Sequence, residues 1–209
     1  MSIANYLTLA RIVLSPIFLF IYLEYPLLGI NAVTLPYVLL TLLGLSELTD
    51  AFDGYLARRF NQVTDLGKIL DPMADSMYRT SVFLTFTLPP VNLPMVLIFI
   101  FLYRDSVIST LRTICALKGF ALAARPSGKL KAVIQAIAAF IVIILLIPYS
   151  WGYLSGYTLS FISTVTVLIA AIYTLVSGVD YLYANRQYIG RLLSLKSIPN
   201  TLEETNIQK

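Results

Sequence analysis

The sequence predicts an all-α membrane protein of six transmembrane helices, and three observations carry that expectation. Of its 209 residues, 58% are hydrophobic and only 12% are charged, about half the charged share of an ordinary soluble domain. No charge occurs between Thr80 and Tyr103, and none between Ala132 and Val179. A helix needs about 20 mostly apolar residues to cross a bilayer, so the longer stretch holds two crossings and the turn between them.

The elements follow in order. The first helix spans about Thr8 to Leu28, with Ser2 to Tyr6 as a short interfacial lead-in. Arg11 followed by Ile12 to Leu23 resembles a signal peptide, but the apolar character continues past Glu24 with no small-residue cleavage pattern, so the segment reads as a retained span. Breakers from Gly29 to Pro36 precede a second helix from about Leu35 to Arg59. The third runs from about Leu66 to Leu88 and stops at Pro89-Pro90. The fourth covers about Leu93 to Lys118. The turn residues from Pro148 to Gly156 separate the fifth, about Gly128 to Ile147, from the sixth, about Gly156 to Asn185. Residues 1–190 thus form one transmembrane domain, and 191–209 a polar tail expected to fray.

Charge sets the orientation. Arg58, Arg59, Lys68, Arg104, Arg112, Lys118, Arg125, Lys129, Lys131, Arg186, Arg191 and Lys196 all fall at connections on one side, and the opposite connections hold only Glu24. By the positive-inside bias that side is cytoplasmic, both termini included, in a multi-pass protein of the cytoplasmic membrane. The net charge of +4 is mostly a topology signal, with anionic lipid or an anionic substrate as a further reading, and it does not indicate nucleic-acid binding. The chain has no histidine, which removes imidazole as base or metal ligand, and its single cysteine, Cys115, cannot form an internal disulfide.

The chemistry-bearing pattern is acidic. Asp50, Asp53, Gly54 and Ala57 share a helical arc of roughly 100°, so two carboxylates flank a surface with almost no side chain, where a bulky ligand can approach the backbone. After a short connection, Gly67, Asp71 and Asp75 stack at i, i+4 spacing on the next helix. Two antiparallel helices then bring four carboxylates to similar depth near the cytoplasmic surface. The plainer reading pairs them with Arg58, Lys68 and Arg79. However, each ionised group within a span costs about 2.5–3.5 kcal/mol at mid-helix, and four together repel one another without a cation between them. Oxygen-only ligands select a hard ion, Mg²⁺ or Mn²⁺. Intramembrane carboxylates also serve cation transporters, whose sites lie near the midplane on broken helices. Here they gather toward one surface on continuous helices.

The order Asp50-x2-Asp53-Gly54-x2-Ala57-Arg58-x8-Gly67-x3-Asp71-x3-Asp75 resembles the signature of the CDP-alcohol phosphotransferase family at every defined position. The resemblance implies a six-helix membrane fold, a homodimer and an active site at the cytoplasmic surface, and four carboxylates suit a pair of metal ions. It implies Asp50, Asp53, Asp71 and Asp75 as metal ligands, with Asp75 also the general base. It further implies Asn5, Thr8, Gly54, Ala57, Arg58, Thr64 and Gly67 around the CDP donor.

Flanking segments address the acceptor. Asn5 to Arg11, Leu70 to Asp75, Arg104-Asp105, Leu111-Arg112, Gly128 to Lys131 and Gln135 resemble the phosphatidylglycerophosphate synthase branch of that family, with Ser76 and Asp105 in place of its usual lysine and glutamate. The likeness runs from Asn5 to Gln135; the last third fits only by hydropathy. This branch implies CDP-diacylglycerol as donor and glycerol 3-phosphate as acceptor, with inositol phosphate or serine as alternatives. A phosphorylated acceptor needs cations, and Arg104, Arg112, Arg125, Lys129 and Lys131 are the candidates. The plainer role for these residues is to set topology and meet lipid headgroups.

Overall fold

A computed structural model describes residues 3–59, 65–117 and 125–194, with the side chains of 3–8, 50–51, 53–59, 65–72, 116–117 and 191–194 outside the description. Among the described residues the chain is helical throughout and has no strand. Six long helices, α1 (Ile3–Glu24), α2 (Leu35–Arg59), α3 (Asp65–Thr85), α4 (Met95–Leu117), α5 (Pro126–Ser150) and α6 (Gly156–Ala184), are followed by a short α7 (Arg186–Ser194). α1 lies against α2 and α3, α4 against α3 and α6, and α5 against α2, α3 and α6.

One end of the bundle is apolar inside. Phe18 of α1 meets Tyr78 of α3 edge-on at 6.5 Å and Phe86 at 6.2 Å, while Phe83 meets Phe101 of α4 at 4.9 Å. Such aromatic pairs contribute about 0.5–1.5 kcal/mol each beyond the area they bury. Leu39 and Leu43 of α2, Val142, Ile143 and Leu146 of α5, and Leu159 and Val167 of α6 complete this core. Toward the other end of the same helices the buried residues become polar: Arg11, Ser15, Ser46, Lys131, Gln135, Thr174 and Ser177. Arg11, Lys131 and Gln135 fall in the N-terminal halves of α1 and α5, Thr174 and Ser177 in the C-terminal half of α6, and Ser15 and Ser46 close to the midpoints of α1 and α2. Gln135 donates to the Thr174 hydroxyl at 3.1 Å, and that hydroxyl donates to the Ala170 carbonyl at 2.7 Å.

The outer surface is apolar. Phe99, Ile169, Ile172, Val176 and Val179 are more than half exposed. That much continuous apolar surface is a liability in water and ordinary in lipid. Of the described helices, α5 and α6 are long and apolar enough to cross a bilayer by length and composition alone.

The element limits differ from the sequence expectation in instructive places. α1 starts at Ile3 without a separate lead-in, and it ends at Glu24 rather than Leu28. Pro26 disfavours helical geometry at Tyr25, and Gly29, at φ +70°, closes the turn in which the Ile30 amide donates to the Tyr25 carbonyl at 3.0 Å. α3 stops at Thr85 and continues as tight turns through Leu88. α5 runs through Pro148 to Ser150, and a distinct α7 occupies the start of the stretch expected to fray, with 195–209 outside the description.

Candidate active site

At the polar end a cleft of about 650 Å³ opens between α3, α4 and the start of α5. α3 contributes Asp75, Ser76 and Arg79; α4 contributes Arg104, Asp105 and Arg112. Arg125, Lys129 and Lys131 come from the start of α5. All five cations expected to hold a phosphorylated acceptor therefore line one cleft, together with the aspartate expected to act as base. Arg79, considered from sequence only as an acid's partner, lines it as well.

Two kinds of cation occupy these walls. Lys131 is buried, and its ammonium donates to both oxygens of Asp105 at 2.7 and 2.8 Å. Arg104 donates to Asp105 at 3.0 Å and to the Ser177 hydroxyl of α6 at 2.9 Å. The Ser76 hydroxyl donates to Asp105 at 3.2 Å. Asp105 is thus the anion at which α3, α4 and α5 meet, and a carboxylate accepting several charge-assisted bonds fixes its donors far better than a surface pair does. Ser76 and Asp105, the two departures from the branch's usual residues, are direct neighbours. Arg112 is held differently: its Nε donates to the Tyr181 hydroxyl at 3.2 Å, and its guanidinium lies 5.2 Å from that ring's centre. Arg125 pairs with Asp180 at 3.2 Å, with both side chains more than a third exposed, and Ser127 donates to the same carboxylate at 2.6 Å.

Asp75 stands where the cleft adjoins a smaller recess between α1, α2 and α3, lined also by Arg11, Ser46, Glu47, Tyr78 and Arg79. Arg11, only 2% exposed, donates through Nη1 to an Asp75 oxygen. A buried guanidinium without an anion would be strongly destabilising, so the pair ties α1 to α3 at the cleft. Arg79 of α3 and Glu47 of α2 approach to 3.6 Å, a loose ion pair across the recess.

Asp50 and Asp53 belong to α2, and Asp71 to α3. Their side chains lie outside the description, as do those of Asn5, Thr8, Ala57 and Arg58. Gly54 of α2 and Gly67 of α3 fall in the same undescribed stretches, and Thr64 lies in the connection 60–64. Sequence reasoning missed Arg11 as Asp75's partner, and it missed the α6 residues Ser177, Gly178, Asp180 and Tyr181 behind the cleft. The signal for the latter was present: Thr174, Ser177, Gly178 and Tyr181 repeat at helical spacing inside an otherwise apolar span.

The sequence matches the family model described as CDP-alcohol phosphatidyltransferase over residues 1–176. A CDP-diacylglycerol–glycerol-3-phosphate 3-phosphatidyltransferase from Rickettsia typhi is 31% identical over 188 residues, 90% of this chain and 98% of that one. The Bacillus subtilis protein of the same name is 31% identical over 194 residues, 88% of this chain and 95% of that one. An Aquifex aeolicus protein, again so named, is 38% identical over 87 residues, 42% of this chain and 44% of its own.

Proposed function

Because this chain belongs to the membrane-bound CDP-alcohol phosphatidyltransferase family, we propose that it transfers the phosphatidyl group of CDP-diacylglycerol to glycerol 3-phosphate, giving phosphatidylglycerophosphate and CMP. The observation that carries the acceptor assignment is the cleft itself: five expected cations and Arg79 line the space beside Asp75. A phosphate monoester dianion matches such a wall; a neutral or cationic alcohol does not. Relatives bearing the corresponding name align along nearly their whole length.

In this reading the acceptor phosphate rests against Arg104, Arg112 and Lys129, with Lys131 held behind by Asp105. The sn-1 hydroxyl attacks the phosphorus that carries diacylglycerol, the bond from that phosphorus to the CMP oxygen breaks, and CMP leaves with the electron pair. Asp75 takes the hydroxyl proton, and Arg11 keeps its carboxylate at the cleft.

Divalent metal is general in this family, and the residues fit it: the donor set is carboxylate oxygen, suited to a hard ion. The Glu47–Arg79 pair supports the register this needs, since one turn onward along α2 comes Asp50 and one turn back along α3 comes Asp75. Asp50, Asp53, Asp71 and Asp75 would hold two ions, Mg²⁺ or Mn²⁺, which neutralise pyrophosphate charge and favour departure of the nucleotide. Asn5, Thr8, Gly54, Ala57, Arg58, Thr64 and Gly67 would contact the CDP moiety. The same reading gives six spans, a homodimer, and both termini with the active site on the cytoplasmic side. Residues 1–190 would form the catalytic domain, with 191–209 a polar tail.

The test is CMP release from CDP-diacylglycerol by detergent-purified protein with Mg²⁺ or Mn²⁺, offered glycerol 3-phosphate, inositol phosphate, inositol and serine separately. Release with glycerol 3-phosphate alone, abolished by EDTA, is the expected result. Release only with another acceptor would replace the acceptor and keep the reaction.

A further inference from the structure

The cations of the cleft lean on a second layer. α6 carries a buried polar stripe, Thr174, Ser177, Gly178 and Tyr181, and each of its last three members meets an arginine of α4. Ser177, 1% exposed, accepts from Arg104 at 2.9 Å. A Cβ at Gly178 would come within 3.1 Å of Arg104 Cγ and 3.9 Å of its Nε, so the absence of a side chain lets the arginine stem lie against the α6 backbone. Tyr181, 1% exposed, offers Arg112 both a hydroxyl acceptor and a ring face. One turn of one helix therefore holds two guanidinium groups that face the cleft, and the matched family region ends at residue 176, just short of that turn.

We propose that the Ser177–Tyr181 turn of α6 positions Arg104 and Arg112 for a phosphate-bearing acceptor, so that selectivity for the phosphorylated alcohol depends on residues that never touch it. This rests on the acceptor reading above. A bidentate guanidinium grips phosphate only when its planar fork is correctly oriented, and two arginines left unsupported would lose rotamer order before they lost charge. On the opposite face of α6 at this level, Val176 and Val179 are more than half exposed.

The experiment compares Ser177→Ala, Gly178→Ala, Tyr181→Phe and Tyr181→Leu with the unaltered protein in detergent, by steady-state CMP release and by calorimetric binding of glycerol 3-phosphate. Loss of a hydrogen bond to a charged group predicts about a tenfold rise in KM and Kd for glycerol 3-phosphate in Ser177→Ala, and in Gly178→Ala the new Cβ, crowding the Arg104 stem, should raise both in the same direction. KM for CDP-diacylglycerol and kcat should stay within about twofold. Tyr181→Phe, which keeps the ring, should fall between the unaltered protein and Tyr181→Leu. Unchanged acceptor affinity in Ser177→Ala and Tyr181→Phe overturns the proposal, as does an equal rise for donor and acceptor. Should the unaltered protein bind glycerol 3-phosphate without releasing CMP, the reaction assignment falls, and the binding series still decides this proposal. A protein that binds no glycerol 3-phosphate refutes both. Gly178→Ala and Tyr181→Leu count only where thermal unfolding shows a folded protein; Ser177→Ala and Tyr181→Phe, the milder changes, carry the decision otherwise.

Discussion

Asp105 concentrates the electrostatics of the cleft in one side chain. Three donors from three helices converge on it, two of them cations. Breaking a buried pair by removing one partner costs about 3–5 kcal/mol, because the other charge stays behind. Asp105→Ala should therefore destabilise the protein by roughly that amount, read as a fall in melting temperature in detergent, whereas Asp105→Glu should retain most of the stability. Adding Lys131→Met to Asp105→Ala should recover part of the loss without recovering activity, a coupling that a double-mutant cycle measures directly. For Asp75→Asn the expected outcome is loss of turnover by about a hundredfold or more, with CDP-diacylglycerol affinity kept within a few-fold. Parallel loss of donor binding would reassign Asp75 to the donor site. Arg112→Ala should raise KM for glycerol 3-phosphate by tenfold or so; an unchanged value would remove it from the acceptor pocket. The cations themselves were legible in the sequence because charge is rare in this chain. Their partners left only the helical repeat of Thr174, Ser177, Gly178 and Tyr181, and which cation each one meets depends on the neighbouring helix.

Helices were the most readable level, because hydropathy and breakers act locally. α2 begins and ends at the expected residues, and the Asn31 carboxamide oxygen secures the turn ahead of it by accepting from the Thr34 amide at 2.7 Å. The start of α6 also agrees with expectation: Ser155 is its N-cap, accepting from the Thr158 amide at 3.1 Å. Removing that acceptor in Ser155→Ala should cost about 1 kcal/mol, visible as a lowered melting temperature with KM for both substrates unchanged. Errors gathered at the ends of α1 and α3, where turn chemistry at Pro26, Gly29 and Leu88 competes with an apolar run that hydropathy alone would extend. The short α7 escaped notice because its polar residues resemble a tail, although Arg186 stacks 4.2 Å from the centre of the Tyr183 ring.

For the whole molecule, the proposed topology has a direct test. Cys115 is the only cysteine and is buried, so a Cys115→Ala background gives a blank for labelling by impermeant thiol reagents. In that background, Leu28→Cys should label from outside intact cells, and Lys209→Cys only after the membrane is opened. Labelling of both from one side would contradict the alternating six-span arrangement. The expectation of this topology comes from the basic residues, which gather at or near one set of connections. The depth of the cleft was not legible in the sequence, because it depends on which faces of α3, α4 and α5 turn toward each other.

The walls of the cleft divide by helix in a way that bears on descent as well as chemistry. The cations proposed for the acceptor stand on α4 and α5 with α6 behind them, while the expected CDP-contacting residues, Thr64 of the connection apart, belong to α1, α2 and the first turn of α3. Among the described residues, α3 alone borders both the cleft and the recess, through Asp75 and Arg79. Mutations that retune one substrate's half can therefore accumulate without disturbing the other. A chimera that keeps α1 to α3 and exchanges α4 to α6 with a relative using another alcohol is the natural route to a new lipid headgroup.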